Sequence, residues 1–231
     1  MRLSQRDRLA EVALAATRVF GRLGYRRTQM AVVAVEAGLS TGAIYTYVES
    51  KEALFHLVFA FGFGVIGEGL PELPIATPAF GDTLELIGRG LRKSLATPRL
   101  RAARDEPSPG DVRAELVAII EERYAAIERV WPLLAVCERS AVDLPDLDAF
   151  YFQRGRRGQL GQLARYLEQR ARSGHLRRLP DAGVAARMMT ETIVWFAWHR
   201  REDRDARLYD DGIARTTVVE LLCNAFVAND Q

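Results

Sequence analysis

The stretch Gln29–Tyr47 constrains the fold more than any other part of the chain. It reads MAVVAVEAG from Met30 to Gly38 and LSTGAIYTY from Leu39 to Tyr47. Met30, Val33, Ala34 and Ala37 recur at helical spacing, and Thr28 is a suitable N-cap. Gly38 is the residue type that ends a helix at positive φ. Leu39 should plug the core under the turn, and Ser40 should cap a second short helix from Thr41. Two helices separated by so few residues make a helix-turn-helix. Gly42 and Ala43 are small, so the second helix can approach another surface closely. Ile44 points inward, while Tyr45 and Tyr47 carry hydroxyls on rigid arms. A helix N-terminus suits phosphate; phosphate contacts fix docking, and side chains near the helix start read base edges.

The rest of the chain reads as helix. Leu9, Val12, Ala13, Ala16, Val19, Phe20 and Leu23 form one apolar stripe from Ser4 to about Leu23, and Gly24 ends it. Ser50 should cap a helix through Leu54, Phe55, Leu57, Val58, Phe59 and Phe61. Gly62, Gly64, Gly67 and Gly69 should weaken its far half, at ~1 kcal/mol per glycine relative to alanine. The spacing of Gly62, Gly64 and Gly67 mimics a dinucleotide fingerprint, but no strand precedes it. Pro71, Pro74 and Pro78 mark a connection. A helix is expected over 79–96, a loop over the polar, proline-bearing stretch 97–110, and a long helix over 111–140 that Pro132 should kink or divide near Val130. Helices over 146–173, 181–200 and 211–228 follow. No β segment, hairpin or repeat is evident, so the class is all-α.

At 231 residues the chain can bury a substantial core, and its 48% hydrophobic and 27% charged content is that of a soluble globular protein. No run approaches the ~20 apolar residues of a membrane span, and no secretory signal follows Arg2, Arg6 and Arg8. The expected location is cytoplasmic, with Cys137 and Cys223 as buried thiols. Net charge is only +2, but residues 1–52 alone carry +3, a weakly basic module on a near-neutral body. His56, His175 and His199 are scattered, and no nucleophile elbow, zinc motif or phosphate loop occurs. No catalytic residue, metal site or cofactor is therefore assigned. The carboxylates Asp143, Asp146 and Asp148 read as caps at a helix break.

The segment Thr28–Leu54 resembles the DNA-binding domain of the tetracycline-repressor (TetR) family of transcription regulators. The resemblance rests on AG-L-S at Ala37–Ser40, G-x-I-Y-x-Y at Gly42–Tyr47 and S-K-E-x-L at Ser50–Leu54, with A-x-x-x-F-x-x-x-G-Y from Ala16 to Tyr25 before it. It covers about the first quarter of the chain. Val48 and Glu49 depart from the family, which usually has Phe and then Pro, Gly or Lys there. Val35 is apolar where a polar residue is common. The resemblance implies a DNA-binding domain over residues 1–50 and a helical ligand-binding and dimerisation domain over 51–231. It also implies a homodimer through the last two helices, bound to double-stranded, roughly palindromic operator DNA.

On this reading Thr41 and Ala43 contact base edges, Gly42 allows close approach, and Tyr45, Tyr47 and Lys51 hold phosphates. Thr28 supports the backbone contact as a cap, and Arg26 and Arg27 lie where phosphate contact is plausible. The short helix has no Arg or Lys, so specificity should lean on DNA shape, water and Arg26 or Arg27. In the body, Tyr124, Trp131, Phe150, Thr192 and Trp195 are candidates to line a pocket for a small apolar or aromatic effector; an aromatic stripe serving only as core is the competing reading. The function expected is an effector-inducible repressor. Alternatives are a DNA-binding dimer with no small ligand and, further off, an enzyme using the aromatic pocket.

Overall fold

The computed structural model describes residues 4–66, 71–106 and 108–228. Ten α-helices are present among them: α1 Gln5–Arg27, α2 Met30–Glu36, α3 Lys51–Gly62, α4 Phe80–Ser94, α5 Pro98–Asp105, α6 Val112–Ala141, α7 Pro145–Asp148, α8 Arg157–Arg172, α9 Ala182–Ala197 and α10 Asp211–Phe226. Among the described residues no extended strand forms; two isolated bridges, Val48 with Ile75 and Leu176 with Val227, are the whole β content. No helix among them is long and apolar enough to cross a membrane. The chain divides into two compact units, residues 1–94 with 132–154 and residues 95–131 with 155–231.

The first unit is built on aromatic rings. Phe20 of α1 meets Phe55 of α3 edge-on at 5.1 Å, and Phe55 in turn meets Tyr25 at 5.1 Å and Phe59 at 5.2 Å. Such edge-to-face pairs fit the ring quadrupole and add to the area buried. Ser4 caps α1 with a reciprocal bond to Asp7. Gly24 interrupts α1 at φ +77°, and a Cβ there would stand 2.6 Å from the Arg139 carbonyl oxygen on α6, so only glycine fits. Ser50 caps α3 as expected, and the helix ends at Gly62; Gly64 takes φ +68°, while Gly67 and Gly69 lie outside the described residues.

The second unit packs α5, the first part of α6, α8, α9 and α10. Ile119, Ile120 and Tyr124 of α6, Leu163, Tyr166 and Leu167 of α8, and Met189 and Ile193 of α9 are fully buried. At its centre Arg170, also fully buried, gives Nε to Glu115 Oε1 at 2.9 Å and Nη2 to Glu115 Oε2 at 2.8 Å and to the Ala103 carbonyl at 2.6 Å. Tyr166 adds a hydroxyl to Glu115 Oε1 at 3.0 Å.

Three expectations change. The loop expected over 97–110 contains α5: Pro98 stands in its first turn, Leu100 and Ala103 are buried, the Arg99 amide donates to Glu122, and Arg170 holds the Ala103 carbonyl. There the polar and proline-bearing majority hides the two residues that pack. The helix expected from Asp146, with a kink near Gly155 or Gly158, is instead α7, a π-helical stretch Ala149–Arg156 that takes in Gly155, and α8; the shift in hydrogen-bond register leaves no mark on apolar spacing. Pro132 does not end α6, although it is where the chain passes into the first unit.

Glu115→Ala would leave the Arg170 charge buried without its carboxylate. It should cost about 3–5 kcal/mol, seen as a lowered urea midpoint at unchanged m-value.

Candidate nucleic-acid interface

α2 ends in a Schellman arrangement. Leu39 N donates to Ala34 O at 2.8 Å, Gly38 N donates to Val35 O at 3.0 Å, and Gly38 takes φ +66°. The next element is shorter than expected, a 3-10 turn over Ala43–Thr46. Its N-cap position is Gly42 rather than Ser40, although the Ala43 amide donates to the Ser40 Oγ at 3.2 Å. Ile44 and Val48 are completely buried, so valine fills the place of the missing aromatic plug. That seating leaves Thr41, Gly42 and Tyr45 exposed and Ala43 and Tyr47 half-buried.

Thr28 is not the cap of α2; Gln29 holds that position. Thr28 is buried and its hydroxyl donates to Gly24 O at 2.7 Å, because the Gly24 break turns that carbonyl toward it. Arg26 and Arg27 are exposed beside it. The Arg26 backbone is held from both sides: its amide donates to Asp143 Oδ2 at 3.0 Å, and its carbonyl accepts from Lys51 Nζ at 3.2 Å. Lys51 also lies over the Tyr25 ring at 4.6 Å, and Tyr25 donates to Glu52 at 2.6 Å. Burial first and Glu52 second push the Tyr25 hydroxyl up; burial lowers Lys51. The Lys51 ammonium keeps further N–H bonds to give.

A second support comes from the connection before α4. Ile75 N donates to Tyr47 O at 2.8 Å, and Glu49 N donates to Ile75 O at 3.1 Å. The Thr77 amide donates to Glu49 Oε2 at 2.9 Å, and the Thr77 and Ser50 hydroxyls lie 2.7 Å apart. This strap grips the far end of the 3-10 turn. Glu49, the departure from the family pattern, is one of its anchors. The prolines made a connection legible, but nothing local showed what residues 75–77 would pair with. Asp143, read as a helix cap, instead holds the start of the helix-turn-helix.

The five candidate effector residues are placed as follows. Phe150 is half-buried in the first unit. In the second, Tyr124 is buried with its hydroxyl donating to Phe196 O at 3.2 Å, and Trp131 is half-buried. Thr192 donates to Met188 O at 2.9 Å, and Trp195 meets Phe196 edge-on at 4.8 Å. No hydrogen bond or ring contact among the described residues joins these five to one another. A groove of about 470 Å³ beside Arg172, Arg178 and Pro180 and one of about 390 Å³ beside Arg99, Ala103 and Glu115 are lined by other residues.

The family model described as bacterial regulatory proteins, tetR family, matches residues 14–58, the span from α1 through the supported turn into α3. Those residues form a tetR-family DNA-binding domain. No curated protein matches the chain. Among solved structures, the ketosteroid transcriptional regulator KstR2 of Mycobacterium tuberculosis is similar at 17% identity and TM-score 0.56, over 99% of this chain and 98% of that one. A tetR-family regulatory protein from Rhodococcus RHA1 is similar at 19% identity and TM-score 0.55, over 99% and 100%. AibR, solved in complex with isovaleryl coenzyme A and operator DNA, is similar at 16% identity and TM-score 0.51, over 93% and 97%. At such identities these likenesses extend the tetR-type helical fold to the whole chain and no further.

Glu49→Ala removes the acceptor of the Thr77 amide. At about 1 kcal/mol for an exposed bond, exchange of the Ile75 and Glu49 amides should speed up roughly fivefold, with Val19 and Phe20 in α1 unchanged, as read by native-state hydrogen exchange.

Proposed function

We propose that this chain is an effector-responsive transcriptional repressor that binds a roughly palindromic operator as a homodimer. The observation that carries it is the tetR-type turn, seated by Ile44 and Val48 and held at both ends, with Thr41, Gly42 and Tyr45 left exposed. Thr41 and Ala43 then meet base edges. Gly42 allows the approach, and Tyr45, Tyr47, Lys51, Arg26 and Arg27 take phosphates. Thr28, turned inward, serves the shape of the backbone rather than the contact.

The dimer reading draws support from apolar surface on the last two helices. Val184, Met188 and Trp195 on α9 and Ile213 and Leu221 on α10 are between 36% and 69% exposed. Side chains of this size at helical spacing call for a partner, and two such pairs make a four-helix bundle. The effector reading draws on the AibR complex, in which a protein of this fold is joined by isovaleryl coenzyme A and operator DNA. An effector in the body would act by favouring a spacing of the two DNA-binding domains that no longer fits two half-sites. It can do so only by its differential affinity for the two states.

Gel shift on DNA flanking the coding region tests the reading. Tyr45→Phe should weaken every bound fragment alike, roughly fivefold, whereas Thr41→Ala should change the order of preference among fragments. Absence of any shift at low salt sinks the proposal. Met188→Glu combined with Leu221→Glu should give a folded monomer by sedimentation and lower operator affinity at least a hundredfold; a dimer that survives both would place the interface elsewhere.

A further inference from the structure

Among the described residues of the second unit three arginines are buried, and only two of them have an ion-pair partner. Arg170 has Glu115, Tyr166 and the Ala103 carbonyl around it. Arg200 pairs with Asp211 and also donates to the Phe196 carbonyl at 2.9 Å and the Tyr209 carbonyl at 3.1 Å. Arg123, on α6, is 5% exposed and has neither kind of support. Its Nη2 reaches Thr190 Oγ1 of α9 at 3.3 Å, longer than a good N–H···O bond. Its Nε is buried with no acceptor.

The carboxylates next to this pair in sequence are committed elsewhere. Glu122 turns both oxygens to the Arg99 amide, at 3.3 and 3.1 Å. Glu191 pairs with Arg156 at 2.7 Å and with Arg187 at 2.9 Å. No other carboxylate among the described residues lies within ion-pair range of Arg123. Desolvation, opposed in part by the charge of Glu122 beside it in the chain, brings its pKa down to about 10, which still leaves the guanidinium charged at neutral pH. A charge held inside with no carboxylate in direct ion-pair contact is unfavourable, and proteins ordinarily pair it or leave it out. Ile119, Ile120 and Ile127, one turn to either side on α6, and Met189 and Ile193, flanking Thr190 on α9, are buried and apolar.

We propose that Arg123, with Thr190 beside it, is the anion anchor of the effector site, and that the effector is a carboxylate on an apolar frame. This rests on the effector-responsive reading above. A planar guanidinium offers paired N–H groups that match the two oxygens of a carboxylate, with the free Nε as one of them. The Thr190 hydroxyl supplies a further donor, and the apolar residues suit the rest of the molecule. Binding supplies the missing negative charge, so a conformation that admits the carboxylate is favoured over the ligand-free one by that pairing.

Melting of the full chain and of Arg123→Met, alone and with octanoate, benzoate, octanamide or benzamide, tests the assignment, with release of flanking DNA scored in parallel. Ligand-free R123M should melt at least about 2–4 °C above the unaltered protein, since an unmatched buried charge has been replaced by an apolar side chain of similar length. At least one acid should stabilise the unaltered protein while its amide does not, and R123M should need at least tenfold more acid. Thr190→Val, which keeps the charge, should retain the preference for acid over amide at about fivefold weaker binding. An R123M that melts lower or fails to fold overturns the proposal, as does equal stabilisation by acid and amide or none by either acid. Release of DNA by the amides, undiminished in R123M, would remove Arg123 from the site and leave effector control standing. Acid stabilisation that needs Arg123 but never releases DNA would keep the anion site and remove effector control.

Discussion

The backbone from Gly24 to Thr28 is the point on which the DNA-binding unit depends. Gly24 turns at φ +77° against the Arg139 carbonyl, at a distance that admits no Cβ. That turn presents the Gly24 carbonyl to Thr28, the Arg26 amide to Asp143 and the Arg26 carbonyl to Lys51. Four elements, α1, α2, α3 and the end of α6, are thereby referred to one short piece of main chain. The Phe20–Phe55–Phe59 rings supply the apolar mass beneath it. Hydrophobic burial drives α1 and α3 together without fixing direction; the backbone hydrogen bonds at the junction fix where α2 starts and hence where the turn at Ala43–Thr46 lies.

Holding that turn at both ends has a physical purpose. A 3-10 turn of four residues has poor internal hydrogen bonding and no stability of its own. Ser40 and the Schellman pair at Gly38 fix its start, and the Ile75–Thr77 strap fixes its exit. Side chains that read DNA are useful only if the backbone beneath them does not wander. In the second unit the same economy governs charge: Glu115 and Asp211 are spent on Arg170 and Arg200, and Arg123 is left with a hydroxyl.

Much of the fold was legible in the chain itself. Local chemistry carried the cap at Ser50, the stop at Gly38 and the apolar stripe of α1, because each is an interaction between residues a few positions apart. Where partners come from far along the chain, legibility ended. α5 was hidden because its order depends on Arg170 and Glu122, and the role of Glu49 was hidden because its partner is Thr77. Thr28 reads as an N-cap by residue type, yet Gln29 takes that position and the Thr28 hydroxyl donates back to the Gly24 carbonyl. The candidate effector residues, four of them aromatic, share no hydrogen bond or ring contact among the described residues, since composition says nothing about which faces of α6 and α9 meet.

By itself, then, the sequence determined an all-helical chain with a helix-turn-helix near its start and the residues that turn exposes, since periodicity, capping and glycine stops act over a few residues. Only the tertiary structure decided that Asp143 and Thr77 hold that helix-turn-helix, and that Arg123 is buried with no carboxylate in ion-pair contact while Arg170 has one. Those facts concern which groups share space after the chain has closed on itself. Two arginines identical in sequence chemistry differ only in what the fold sets beside them.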